Sequence, residues 1–280
     1  MPGESVILVT GCSSGIGRAT VLEAVARGHR VFATARNRAD LVDLERRERL
    51  EVLQLDVTEP DSIRVAMEAA LGRAGRLDAL VNNAGYGQYG AVEEVTPDEW
   101  RAQFEVNFYG AIAVTQAALP AMRRAGRGTI VNVSSVAGRV PIPFAGPYCA
   151  SKHALEAMSD ALRVELWPFG IRVVLVEPGP IETRFGERAR ALVTPFLSRP
   201  GPYRQIYALA EKAMDVEFQR GKQPAEAVAR VVVDAIEAPR PRPRYRVGMM
   251  AKTLIPAQGA LPDRWLDVLM RRALRLRRGA

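Results

Sequence analysis

Tyr148 and Lys152 stand four residues apart in Tyr148-Cys149-Ala150-Ser151-Lys152, with Ser135 thirteen residues upstream. On a helix, positions four apart share a face one turn from each other. A phenol is thus set beside an ammonium. A free tyrosine has a pKa of about 10, which makes it a slow proton carrier at neutral pH. A neighbouring positive charge stabilises phenolate and lowers that value, as proton exchange with an alcohol oxygen requires. Ser135 can hold the reacting oxygen. Alone, such a pair is common on exposed helix faces, and its weight comes from the elements around it.

Residues 6–10 (Val-Ile-Leu-Val-Thr) are a short apolar run that reads as a buried strand. Gly11-Cys12-Ser13-Ser14-Gly15-Ile16-Gly17 follows, and then a helical pattern from Arg18 to Arg27. Strand, glycine turn and helix make a dinucleotide cradle. Glycines let the backbone approach a pyrophosphate, and the free amides at the helix start face its charge. A tight turn alone would also explain the glycines, but their place after the first strand of an alternating pattern favours phosphate binding. Gly11, Ser13, Ser14, Gly15, Ile16 and Gly17 are the candidates.

Strands are expected near 6–10, 30–35, 51–56, 77–82, 129–134, 171–177 and 244–248, and helices near 16–28, 60–74, 97–123, 148–168 and 224–237. Thr96-Pro97-Asp98-Glu99 supplies a capping Thr, a Pro at the first helical position and a Glu at the third. Thr58-Glu59-Pro60-Asp61 is a looser version. This alternation predicts an α/β fold, a single Rossmann-type doubly wound parallel sheet of about seven strands with helices on both faces. With 280 residues and 48% hydrophobic content, one large domain accounts for the chain. That domain is expected over 1–248, with a lid over about 184–222, followed by a basic amphipathic extension over 249–280.

Thr10-Gly11-x-x-x-Gly15-x-Gly17, Asp56-Val57, Asn82-Asn83-Ala84-Gly85, Asn107, Ser135, Tyr148-x-x-x-Lys152 and Pro178-Gly179 occur in the order and spacing of the classical short-chain dehydrogenases/reductases. The chain resembles that family from about residue 5 to about residue 248. Its T-G-C-S-S-G-I-G and N-N-A-G-Y-G runs are similar to the branch of estradiol 17-beta-dehydrogenases and retinol dehydrogenases. The resemblance implies an enzyme that transfers hydride between nicotinamide C4 and a carbonyl carbon. Tyr148 would give the proton to the oxygen in reduction and remove it in oxidation. Lys152 would bind the nicotinamide ribose and depress the Tyr148 pKa. Asn107 is polar in an otherwise apolar helix and needs hydrogen-bond partners. The resemblance assigns it to a water linked to Lys152. Ser135, and not Ser134, matches the family spacing. By the same resemblance Asp56 and Val57 contact adenine. Asn83, Ala84 and Gly85 support the adenosine side, while Pro178, Gly179, Ile181 and Thr183 contact the nicotinamide carboxamide. A homodimer or homotetramer is implied. A catalytically silent nucleotide sensor and an NAD-dependent dehydrogenase of a small alcohol are the rival readings; the presence of every catalytic position argues against the first.

An acidic residue at the end of the second strand would bind the ribose of NAD, but this chain has Ala35, then Arg36, with Arg38 nearby. Arginine suits a 2′-phosphate, so NADP(H) is favoured over NAD(H). A merely surface-exposed or adenine-stacking Arg36 is the competing explanation. The substrate pocket should be lined by Tyr86, by Val136, Ala137 and Phe144 of the run up to Ala145, and by Phe185. The segment 184–222 also carries Phe196, Leu197, Tyr203, Tyr207 and Met214, and long connections in enzymes are often lids. Its aromatics suggest a bulky apolar carbonyl compound or secondary alcohol, steroid-, retinoid- or lipid-like. Simple packing of the lid is the alternative.

Cys12 and Cys149 read as small reduced interior residues, so a cytoplasmic setting is expected. His29 and His153 have no partners at metal-ligand spacing, and no metal is expected. No signal peptide or membrane span is evident. The net charge of +8 is concentrated at one end: residues 240–280 hold eleven Lys/Arg against two acidic residues. From Pro262 to Arg278 a helical stretch sets Trp265, Leu266, Leu269, Ala273 and Leu276 beside Arg271, Arg272, Arg275, Arg277 and Arg278. Such a helix could lie on an anionic membrane surface, cover a subunit interface or the substrate entrance, or stay solvated. Nucleic-acid binding is not expected, since no recognition fold accompanies the charge.

Overall fold

Val6–Val9 (β1), Ala79–Asn82 (β4) and Gly128–Val133 (β5) are buried at every position. Strands without a polar face belong in the middle of a sheet covered on both sides. The computed structural model, which describes residues 3–45, 47–183, 185, 191, 194–196, 201–207, 222–274 and 276, places them there. With Arg30–Ala35 (β2), Leu50–Gln54 (β3), Ile171–Pro178 (β6) and Arg244–Val247 (β9) they form a seven-stranded sheet of order β3-β2-β1-β4-β5-β6-β9. Every pairing is parallel. Two short strands, Ile181–Glu182 (β7) and Gln223–Pro224 (β8), pair separately. Strand order reverses between β1 and β4, and the crevice at such a switch point is where doubly wound sheets bind ligands.

Helices cover both faces. Gly15–Ala26 (α1) and Ala225–Glu237 (α6) pack on one, closing a core that includes Ile7, Val9, Val131, Val228 and Val232. Pro60–Ala74 (α2) and Gly110–Ala125 (α4) pack on the other over Leu8, Phe32, Leu80 and Ile130. Gly146–Glu165 (α5) runs beside β6.

The single helix expected over 97–123 is two. Pro97–Phe104 (α3) starts with the capping box: Thr96 Oγ1 accepts from the Glu99 amide at 3.3 Å, and the Glu99 carboxylate accepts from the Thr96 amide at 2.8 Å. A π turn over Glu105–Tyr109 then separates it from α4. Gly110 follows that turn because a Cβ there would sit 2.7 Å from Val57. The stretch expected to be helical from 262 is Asp263–Ala273 (α8). Met249–Ala260 (α7), ahead of it, had no sequence signal, since Pro256 sits inside it. Arg275, Arg277 and Arg278 lie outside the described residues, as do Leu197, Met214 and most of 184–222. Among the described residues no helix is long and apolar enough to cross a membrane.

Candidate active site

The turn after β1 is held from below by the end of β4. Thr10 Oγ1 accepts from the Asn83 and Ala84 amides, both at 3.0 Å, and Asn83 Nδ2 donates to the carbonyls of Thr10 (2.9 Å) and Gly11 (3.0 Å). Gly11 has φ +71°, and a Cβ on it would lie 2.8 Å from Ala84 Cα. No side chain other than glycine's fits there. Ser14 precedes α1 in an extended conformation without a side-chain cap, so the first amides of the helix have no capping partner. That is a phosphate cradle.

One cavity of about 2050 Å³ extends from this turn along the C-terminal ends of the strands. Gly11, Ser13, Ser14, Gly15 and Ile16 line it, with Arg36, Asp56, Val57, Asn83, Ala84 and Gly85. So do Ser135, Tyr148, Lys152, Pro178, Gly179, Ile181 and Thr183, and the pocket candidates Tyr86, Val136, Ala137 and Phe185. Three expected residues do not. Gly17 faces inward, where a Cβ would strike Asn83 Nδ2 and the Gly11 carbonyl, so it permits packing of α1 and does not face the cavity. Phe144, at φ +64°, turns its ring onto Tyr207 (5.4 Å between centroids) and Tyr203 (6.4 Å). Asn107 lies behind the wall, in the π turn.

Asn107 is fully partnered within the protein. Its Oδ1 accepts from the Tyr86 amide at 3.0 Å, while Nδ2 donates to the Tyr86 carbonyl at 2.9 Å and to Ser151 Oγ at 3.2 Å. It still adjoins Lys152: a Cβ on Gly85 would be 3.0 Å from Asn107 Oδ1 and 3.7 Å from Lys152 Nζ. Ser135 caps the short 3-10 turn at 136–138, its Oγ accepting from the Ala137 amide at 3.1 Å.

Tyr148 is buried between Tyr89 (6.3 Å between centroids) and Phe185 (5.4 Å). Burial pushes its phenol up to about 12, with the Ser135 hydroxyl working in the opposite direction. Lys152 is buried too, and Nζ donates to the Val133 carbonyl at 2.8 Å. Burial brings its ammonium down to about 8, opposed by Glu156 one turn further along α5. The expected depression of the phenol by Lys152 is not seen in the protein by itself, where burial prevails over the Ser135 hydroxyl. Desolvation moves each group toward its neutral form.

Arg36 is exposed, lines the cavity and makes no ion pair among the described residues. Arg38 is held by Glu45 at 2.8 Å, and Arg18 by Asp43. In the expected lid, Phe185 lines the cavity, whereas Phe196 and Tyr207 are buried against Ala91 and Val95. Of those aromatics, Phe185 thus faces the cavity while Phe196 and Tyr207 pack the segment down. The substrate entrance was among the places expected for the C-terminal helix, and Leu269, Met270, Ala273 and Leu274, in and after α8, line the cavity. Sequence reasoning missed the part of the wall supplied by α7, Met250 and Leu254. Behind the site, Glu156 and the fully buried Glu177 share Arg244, at 3.1 and 3.2 Å.

The profile described as "short chain dehydrogenase" matches residues 5–192. An NADPH-dependent 3-dehydrocapnine reductase of Ornithobacterium rhinotracheale is 36% identical over 277 residues, covering 96% of each chain. Human 17-beta-hydroxysteroid dehydrogenase type 1 is 36% identical over 255 residues, covering 86% of this chain and 77% of that one. A solved short-chain dehydrogenase from Streptomyces avermitilis is 34% identical, covers 97% of both chains and superposes with a TM-score of 0.79.

Proposed function

This chain belongs to the short-chain dehydrogenase/reductase family and is an oxidoreductase of CH–OH groups; on that premise we propose that it uses NADP(H) to interconvert a bulky apolar ketone or aldehyde and its alcohol. One observation carries the reading: a single cavity is lined by the glycine turn, by Ser135, Tyr148 and Lys152, and by a long apolar wall.

The residues present fit the dinucleotide. Gly11 leaves room that a Cβ would fill, and the uncapped start of α1 offers amides to a pyrophosphate. The Ala35 side chain cannot bond a ribose hydroxyl, and Arg36, with no ion pair among the described residues, suits a 2′-phosphate. The relative named as NADPH-dependent supports the same choice. When bound, NADP(H) supplies or takes up the hydride. Tyr148 gives its proton to the substrate oxygen in reduction and recovers it in oxidation, while Ser135 Oγ holds that oxygen. Lys152, still charged below about pH 8, favours the phenolate from one turn away. Asn107 fixes Tyr86 and the Gly85 backbone against Lys152.

Tyr89 and Phe185 beside Tyr148 favour an apolar substrate, in keeping with relatives named for 3-dehydrocapnine and for hydroxysteroids. Val164 near the end of α5 and Trp167 and Phe169 in the turn after it are exposed, and suit burial in a homodimer or homotetramer. Buried free Cys12 and Cys149 fit a reducing, cytoplasmic setting, and the basic α8 suits contact with an anionic membrane surface.

The test is oxidation of NADPH and NADH by the purified protein with steroid, retinoid, fatty and small aromatic carbonyl compounds. NADPH should be preferred. Arg36→Ala should raise the KM for NADPH by about tenfold to a hundredfold and leave that for NADH unchanged. Preference for NADH, or an Arg36→Ala variant indifferent to the 2′-phosphate, would overturn the cofactor assignment.

A further inference from the structure

Resting on the reductase reading above, we propose that the substrate is a ketone on a long, flexible, unbranched alkyl chain, which lies between the 136–140 turn and helices α7 and α8. The cavity wall changes character along its course. Around Tyr148 it is aromatic, with Tyr89 and Phe185 within 6.3 and 5.4 Å of the phenol ring. Toward the C-terminal helices it is built from Val140, Met250, Leu254, Leu269, Met270 and Leu274. None of these six is aromatic and none is charged. The charged residues that line the cavity lie elsewhere: on α1, at the ends of β2 and β3, on the 3-10 turn after β2 (Asp40 and Asp43), on the π turn, on α5, on β7 and at the start of α6.

Aromatic side chains present flat, rigid faces. Thioethers and aliphatic branches instead adapt to a chain that samples many rotamers, and methionine does so best. Two of the six wall residues are methionines. The wall is also continuous with the reacting end. Val136 and Val140 pack with Ala251, Ile255, Met250 and Met270 in one cluster, and Ser135 begins the turn that carries both valines. A chain attached to a carbonyl held at Ser135 therefore enters this wall directly. Leu254 (38% exposed) and Leu269 (50% exposed) line the cavity and meet solvent, so the far end is open. Small-molecule pockets usually hold roughly 300–1000 Å³; the cavity here, about 2050 Å³, has space for a dinucleotide and an extended chain together.

The experiment is steady-state reduction with NADPH of a series of methyl ketones from 2-butanone through 2-octanone to 2-dodecanone, beside a rigid steroid ketone. kcat/KM should rise by up to about fourfold per methylene and level off where the chain emerges past Leu254 and Leu269. Met270→Trp, which fills the channel, should lower the ratio of kcat/KM for 2-dodecanone to that for 2-butanone more than tenfold. Leu269→Gln, at an exposed position that folding tolerates, should blunt the long-chain advantage in the same direction. A flat response to chain length in the parent protein, or faster turnover of the steroid than of every linear ketone, would overturn the proposal while leaving the reductase reading standing. Silence with all ketones, short and long, would overturn that reading and this proposal with it.

Discussion

A buried ammonium costs stability, and Lys152 makes that cost measurable. Its pKa is about 8 in the folded protein against an ordinary 10.5. Between those values the unfolded chain keeps a proton that the folded chain has lost, so this residue's contribution to stability rises with pH through that window. The penalty is complete below pH 8, where it amounts to about 3 kcal/mol. Lys152→Met removes the titration. The unfolding free energy of the variant minus that of the parent should therefore fall by about 3 kcal/mol between pH 7 and pH 10.5, as urea melts would register. A gap constant with pH would mean that Lys152 is not desolvated in this way. Tyr148 is displaced in the neutral direction for the same reason, and in the cofactor-free chain it keeps its proton and is not a preformed phenolate.

At the scale of elements, β9 is tied to α5 by Arg244. Its guanidinium meets Asp160 at 2.6 Å, Glu156 at 3.1 Å and Glu177 at 3.2 Å, so that α5, β6 and β9 share one cation. Arg244→Met would leave Glu156 and Glu177 buried without that cation, and stability should drop by about 3–5 kcal/mol, read as a lower denaturant midpoint. In the sequence, Arg240, Arg242, Arg244 and Arg246 look like a uniform basic run. Its internal role could not be seen, because the acids it neutralises are about 70 to 90 residues away. The π turn was hidden for a different reason: one extra residue per turn does not disturb an apolar pattern enough to register. The strands, by contrast, were legible because a fully buried parallel sheet leaves unbroken aliphatic runs. The glycine turn was legible as a cradle, but the split between Gly11, which lines it, and Gly17, which packs behind it, required the position of Asn83.

Taken whole, the molecule places Ser135, Tyr148 and Lys152 between a polar end and an apolar end of one cavity, with its basic C-terminal helices at the apolar end. Trp265 is 65% exposed on α8, near the cavity-lining Leu269 and flanked by Arg264, Arg271 and Arg272. That arrangement predicts co-sedimentation with phosphatidylglycerol vesicles, weakened by high salt and by Trp265→Ser, and none with pure phosphatidylcholine. If Trp265→Ser instead changed the oligomeric state and left vesicle binding intact, the helix would be a subunit interface. The most direct test of the central claim is the single-turnover rate of NADPH oxidation in parent and Tyr148→Phe proteins on the same ketone, with NADPH affinity measured alongside. Loss of the phenolic proton should slow the step by about 10²-fold or more with NADPH affinity almost unchanged. Near-normal turnover by Tyr148→Phe would put the proton donor somewhere else.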